Sequence, residues 1–193
     1  WTQRDDELWS AQVPEIVRQR YPVRTLRVGE SWATRARHPN FDPGHPITGG
    51  WLFSQSMEEG NYDRLVLAPE EFPVWSNWRG AEVHIFPAWG WVNAILDVKE
   101  VSPEQQTLVV ASEQDIRPGN RFFIANTREA LDAPGEWFLD PEEQELVYWP
   151  EDSAFPELEV VLSITKELIR LEGSSAQNQF VEHIHFRGLT FAD

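Results

Sequence analysis

The sequence predicts an all-β protein. Apolar and polar residues alternate with a period of two over several runs of four to eight residues. No segment repeats apolar residues at the three- and four-residue spacing of a long amphipathic helix. Pro- and Gly-bearing stretches interrupt the chain at short intervals. The expected architecture is mainly antiparallel, a barrel- or sandwich-like domain of about 10 to 13 short strands. A C-terminal stub of parallel β-helix follows it, because the last residues have a different texture. Ile184, Phe186, Leu189 and Phe191 surround Arg187-Gly188, which reads as strand, glycine corner, strand. One such rung cannot bury its apolar face alone, so residues 180–193 are expected to pack poorly or to lie against the preceding domain. The division is therefore 1–172 for the β-rich domain and 173–193 for a linker and the first rung-like strands.

The strands are expected in this order. Ser31 to Arg37 alternates as a half-buried strand does, and so do Ala81 to Phe86 and Trp91 to Val98. Thr107 to Ala111 and Arg121 to Ala125 are apolar runs of strand length. Trp137 to Leu139 and Leu146 to Trp149 flank a Pro-initiated turn and predict a hairpin, with Trp137 and Trp149 opposite or diagonal to each other. The pattern Asn126-Thr127-Arg128-Glu129 has the form of a capping box and predicts one or two helical turns before Pro134-Gly135. Pro69 to Glu71 predicts a turn. Loops are expected at 39–50, 151–156 and 173–178, and an apolar run at 159–171.

Composition excludes several functions. The chain has 193 residues, 16 Lys and Arg against 32 Asp and Glu, and a formal net charge of -16. A general nucleic-acid binder is not expected, because the phosphate backbone would be repelled. The charge is uneven: from Arg18 to Arg37 six Arg face one acid, Glu30, so that stretch is +5 and the remainder -21. Cysteine is absent, which excludes disulfides, thiolate metal sites and a thiol nucleophile. No apolar run approaches the roughly 20 residues of a membrane span, so no membrane partner is expected. No basic and apolar leader opens the chain. No Gly-rich phosphate loop, nucleophile elbow or HExxH occurs, and no cofactor is expected. His183 and His185 are spaced to face one side of a strand, but no third ligand follows, and no metal is expected.

Tryptophan is the outlier, with 10 Trp against 3 Tyr and 11 Phe. Trp fills cores, and it also stacks on the apolar C–H face of a pyranose. Trp75 and Trp78 bracket Ser76-Asn77 in a loop-like stretch, and Trp89 and Trp91 flank Gly90 just after Pro87. Trp in a polar turn is harder to bury than Trp in a strand. Asn77, Arg79 and Asn93 lie nearby with side chains suited to sugar hydroxyls. These seven residues are the candidate carbohydrate contacts. The opposing reading places the same Trp residues in core and turn packing. The number of exposed Trp decides between a glycan-contacting domain and a purely structural one, which would bury nearly all ten.

Two further groups each carry two readings. Arg35 and Arg37, with Asn40 after them, form either an anion-binding or cleft-facing pair or salt bridges to the acidic remainder. Asp132 and Glu136, in Leu131-Asp132-Ala133-Pro134-Gly135-Glu136-Trp137, form either an acid/base pair or the fixings of a sharp turn. The second is favoured, with Asp132 taking the turn's N–H groups. No catalytic residue is assigned.

Three segments resemble one family. They are Arg35-Ala36-Arg37-His38-Pro39-Asn40, the run RFFIANTREALDAPGEWFLDPEEQELVYWP over 121–150, and Ile184 to Phe191. Together they resemble bacterial right-handed parallel β-helix proteins related to glycoside hydrolases, in which a β-rich domain is inserted between early parts of the helix. The resemblance runs from Trp9 to Asp193 and departs from the family pattern at His38, His183 and His185. It implies a secreted or periplasmic protein acting on polysaccharide. It also implies catalytic carboxylates on rungs beyond Asp193, and the remainder of the β-helix as a partner. The chain is accordingly expected to be a non-catalytic accessory domain contacting an oligo- or polysaccharide, or a structural insertion that shields the cleft.

Overall fold

The computed structural model describes residues 1–4, 7–14, 23–57, 60–140, 142–165 and 167–190. These residues form fifteen short strands and three single 3-10 turns, at Pro69–Glu71, Pro103–Gln105 and Ser175–Gln177, with no α-helix among them.

A seven-stranded sheet contains β1 (Thr2–Gln3), β2 (Trp9–Gln12), β3 (Leu26–Val28), β4 (Ser31–Arg35), β13 (Glu136–Asp140), β14 (Glu145–Tyr148) and β15 (Val160–Leu162), in the order β1-β2-β14-β13-β4-β3-β15. A five-stranded sheet is built from β5 (Arg37–His38), β6 (Leu52–Phe53), β8 (Glu82–Ile85), β9 (Ala94–Asp97) and β12 (Arg121–Ala125), in the order β5-β12-β8-β9 with β6 also on β12. A three-stranded sheet joins β10 (Glu100–Ser102), β11 (Thr107–Val109) and β7 (Arg64–Val66). The sheets are curled and antiparallel, apart from the parallel pair β4 and β13.

Period-two alternation places the core. On the five-stranded sheet Leu52, Val83, Ile85, Phe122 and Ile124 turn inward and meet Leu65 and Leu108 of the three-stranded sheet and Ile116 from the segment before β12. Under the seven-stranded sheet Trp137 packs with Leu26, Leu146, Tyr148 and Phe155. Each such side chain contributes about 1.5–3 kcal/mol on burial, so these two clusters dominate stability.

Several expectations change in detail. The run 31–37 is two strands. Ala36 donates its N–H to Trp137 O at 2.7 Å and accepts from Asn126 N at 2.8 Å, so the chain passes there from one sheet to the next. The strand expected from Trp91 begins only at Ala94. The hairpin of β13 and β14 forms, but Trp137 pairs with Tyr148, which puts Trp149 on the opposite face. The helical turns expected at Asn126 do not form. Asn126 sits at φ +59°, and its side chain bonds to Gly80 and Leu139 in place of capping a helix. Thr127 Oγ1 accepts from Ala130 N instead, and Glu129 reaches away to Ser76 and Asn77. Of the apolar run 159–171, Val160–Leu162 forms a strand.

Residues 173–190 contain an isolated antiparallel bridge, Ser174 with Gln179, and the turn Ser175–Gln177. Phe180, Ile184, Phe186 and Leu189 are exposed.

Candidate functional site: an aromatic and guanidinium face ending at Trp89

The outer face of the five-stranded sheet carries a ladder of rings and cations. Register sets it: Phe123 lies opposite His84, and Arg121 opposite Phe53, while Phe122 and Ile124 between them turn to the core. The His84 and Phe123 rings stack at 4.5 Å and 18°. The Arg37 guanidinium lies 3.7 Å over Phe123 and 5.5 Å over Trp51. Its Nε donates to Pro39 O at 2.9 Å and its Nη2 to Gly50 O. Burial pushes Arg37 down to about 10, with Glu136 pulling the other way. Next along the face, the Arg121 guanidinium sits 4.9 Å over Trp51 and 4.4 Å over Phe86.

The ladder opens into a shallow groove of about 380 Å³ lined by Ile47, Phe53, Phe86, Trp89, Asn120 and Arg121, among others. Trp89 is 74% exposed at its rim, and Trp91 is 82% exposed two residues on. Trp89 belongs to a turn rather than a strand, closed where Gly90, at φ +77°, donates its N–H to Pro87 O at 2.9 Å, and Trp91 follows that turn ahead of β9. The Arg117 guanidinium covers one side of the Trp89 ring at 4.3 Å and is held by Asp115 at 2.8 Å. A ring stacked on one side and still this exposed presents its other side to solvent. Asn120 is buried and fixes the rim by donating to Ala88 O at 3.0 Å and accepting from Arg117 N at 2.8 Å.

The other candidate contacts lie elsewhere. Trp75 and Trp78 are half-buried, with ring centroids 4.8 Å apart, and pack with Phe72 against the core. Asn77 accepts from Arg79 N at 2.9 Å. The Arg79 guanidinium lies 3.2 Å from Glu142. Asn93 donates to Ile85 O at 3.4 Å. Arg35 is engaged within the protein: its Nη1 meets Glu82 Oε2 at 2.6 Å and its Nε donates to Asn126 Oδ1 at 3.2 Å. Asn40 donates to Asp132 Oδ1 at 2.8 Å. Trp51, Arg117 and Arg121 join the candidates from the structure alone. Their signal was faint: Arg121 and Phe123 are two residues apart, hence on one face of a strand.

The turn around Pro134-Gly135 reverses an expected role. Glu136, not Asp132, accepts the turn's N–H groups, from Asp132 N at 3.1 Å and Ala133 N at 3.2 Å. Burial pushes Glu136 up to about 7 against those two bonds. His38, nearby and in edge contact with Trp75, is held below the usual imidazole range by burial, with Asp132 opposing. Glu136 is buried beneath its own turn, so its carboxyl holds backbone geometry. Gly135 is required there, because at φ +83° any Cβ would also meet the Glu151 side chain at 2.7 Å.

Among the described residues no group of three or more His, Asp and Glu is placed to hold a metal ion. No helix among them is long and apolar enough to cross a membrane. No family model matches the chain, and no curated protein matches it. A solved structure of a glycoside hydrolase aligns with a TM-score of 0.58 and 21% identity, over 82% of this chain and 29% of that chain. The chain thus shares the fold of a part of that protein, less than a third of its length.

Proposed function

We propose that this chain is a non-catalytic accessory domain of a secreted or periplasmic polysaccharide-active enzyme, and that it contacts glycan through exposed Trp. The observation that carries the reading is Trp89, 74% exposed at the rim of a groove, with Trp91, 82% exposed, two residues on. Four of the ten Trp (1, 32, 89 and 91) are exposed and one, Trp137, is fully buried. A domain built only for shielding has no use for large indoles in water. Indole faces suit pyranose rings, and the polar rim suits their hydroxyls. The likeness of fold to part of a glycoside hydrolase supports a carbohydrate context. Residues 1–172 would form the accessory domain. Residues 173–193 would begin a parallel β-helix, whose further rungs would cover Phe180, Ile184 and Phe186 and carry the catalytic carboxylates.

Affinity electrophoresis against soluble plant and algal polysaccharides tests the reading. Wild type is expected to be retarded by at least one neutral glycan, and Trp89→Ala and Trp91→Ala to lose most of that retardation with an unchanged circular dichroism spectrum. Retardation that persists in both variants would move the platform elsewhere. No retardation by any glycan leaves a structural insertion as the function.

A further inference from the structure

The groove also contains a guanidinium with no ion pair among the described residues, and this inference rests on the reading of Trp89 as a glycan platform. In a chain of net charge -16, Arg4, Arg24, Arg27, Arg35, Arg79, Arg117 and Arg170 each face a carboxylate. Arg121 has no ion pair and no side-chain hydrogen bond among the described residues, although it is half-buried. Its guanidinium is held against two rings, Trp51 and Phe86. Rings engage the face of a guanidinium and leave its edge, where the N–H donors point, free. The groove lining contains no Asp or Glu.

We infer that Arg121 recognises the carboxylate of a single uronate residue whose sugar ring stacks on Trp89, within a glycan that is otherwise neutral. The planar fork of Arg pairs with a carboxylate through two parallel N–H···O bonds. Stacking fixes the fork beforehand, so little side-chain freedom is lost on binding. Arg117 adds positive potential behind Trp89, but Asp115 already neutralises it at 2.8 Å. One free guanidinium accepts one carboxylate. A polyuronate would bring further charges against a surface of the same sign, within reach of a Debye length of about 8 Å at physiological salt. The pair Arg35 and Arg37 does not serve this purpose, since Glu82, Asn126, Pro39 and Gly50 occupy their donors.

The test uses the full chain and follows the Trp indole N–H resonances by NMR during titration. The probes are methyl β-glucuronide and methyl galacturonide, with methyl β-glucoside and methyl galactoside as uncharged counterparts. At least one uronide is expected to bind about tenfold more tightly than its counterpart, the scale of one charged hydrogen-bonded contact. Arg121→Gln is expected to bring uronide and neutral glycoside to equal affinity, and retained binding of the neutral glycoside at Trp89 shows that the groove is intact. Arg121→Lys, which keeps the charge but not the fork, should retain only part of it. Trp89→Ala should weaken both classes. Equal affinity for uronide and neutral glycoside would overturn the inference, as would a preference that survives Arg121→Gln. Equal binding of a glucoside 6-sulfate would overturn the carboxylate assignment, and tighter binding of polygalacturonate the isolated-uronate assignment. Absence of binding by every probe would remove the uronate site, while retardation by a neutral polysaccharide would still uphold the Trp platform. If both fail, both readings fall.

Discussion

The carboxylate of Glu82 in β8 lies 2.6 Å from the Arg35 guanidinium in β4, tying the five-stranded sheet to the seven-stranded one. Arg24 adds a second contact at 3.1 Å, and His84 Nε2 lies 3.7 Å away. Burial alone would raise Glu82, but His84, Arg35 and Arg24 outweigh it and bring it down to about 2 from 4.5. A lowered acid contributes stability that is fully present above its unfolded pKa and lost as pH falls through the folded one. The window is therefore pH 4.5 to 2, and the contribution is about 3 kcal/mol at one pKa unit per about 1.4 kcal/mol. Glu82→Gln should lower stability at pH 7 by about 3 kcal/mol, because Arg35 stays buried without its anion. It should also flatten the loss between pH 4.5 and 2. Urea unfolding across that range measures both, and a variant profile parallel to wild type would refute the coupling.

Glu136 works in the opposite direction. Its folded value of about 7 stands above its ordinary 4.5, through burial. The native state then holds a proton that the unfolded chain has released, and stability falls as pH rises from about 4.5 to about 7. Together the two carboxyls place their combined optimum near pH 4.5. Glu136→Gln keeps an acceptor for the N–H groups of Asp132 and Ala133 and cannot ionise. Its melting temperature should change little over that window, while that of wild type declines. An equal decline in both would assign the pH dependence to other groups.

Asn126 joins three parts of the fold through one amide. It donates to Gly80 O at 3.0 Å and Leu139 O at 3.2 Å, and accepts from Leu139 N and Arg35 Nε at 3.2 Å each. Its backbone is left-handed at φ +59°, which Asn tolerates better than other side chains do. Asn126→Ala should cost about 3 kcal/mol, from lost buried bonds and backbone strain. Asn126→Gly relieves the strain alone and should recover roughly 1 kcal/mol of that. Identical losses in the two variants would mean that the amide carries the whole effect.

The strands were legible where alternation was local. Arg121 to Ala125 forms over those residues, and the hairpin of β13 and β14 forms about its expected turn. What failed was non-local. Asn126 and Glu129 fit a capping box, yet their side chains bond to Gly80, Leu139, Ser76 and Asn77, partners that no short window contains. The switch of sheets at Ala36 likewise depends on Trp137 and Asn126. The Trp-rich turn at 89–91 could be singled out because indole beside Gly and Pro is unusual. The guanidinium of Arg121 could not, since its neighbours Trp51 and Phe86 arrive from distant parts of the chain, just before β6 and just after β8.

The four candidate Trp residues should separate by stability. Trp75 and Trp78 pack against the core, so truncation of either to Ala should cost about 2–4 kcal/mol. Trp89 and Trp91 are exposed, and their truncation should stay within about 0.5 kcal/mol. Denaturant unfolding of the four variants checks this. A loss above 1 kcal/mol at Trp89 would mean that its stack with Arg117 holds the turn, and binding data from that variant would then need a conservative replacement.

Phe180, Ile184, Phe186 and Leu189 are exposed within ten residues of the C-terminal part, a density of apolar groups that ordinary surfaces avoid. They add little to the fold, because their side chains lie in solvent. Ile184→Ser with Phe186→Ser should therefore leave the unfolding free energy within about 0.5 kcal/mol of wild type. The same pair should reduce binding of an apolar dye such as ANS, which reports exposed hydrophobic surface. Amide exchange should be fast over 180–190 and slow in Phe122 and Ile124 of β12, whose side chains lie in the core. A loss of about 1 kcal/mol or more in unfolding free energy would place these residues against the β-domain and remove the main structural reason to expect a further rung over them. An unchanged unfolding free energy with weaker dye binding leaves an exposed apolar strip that contributes nothing to this domain, in keeping with the proposed role of a β-helix rung.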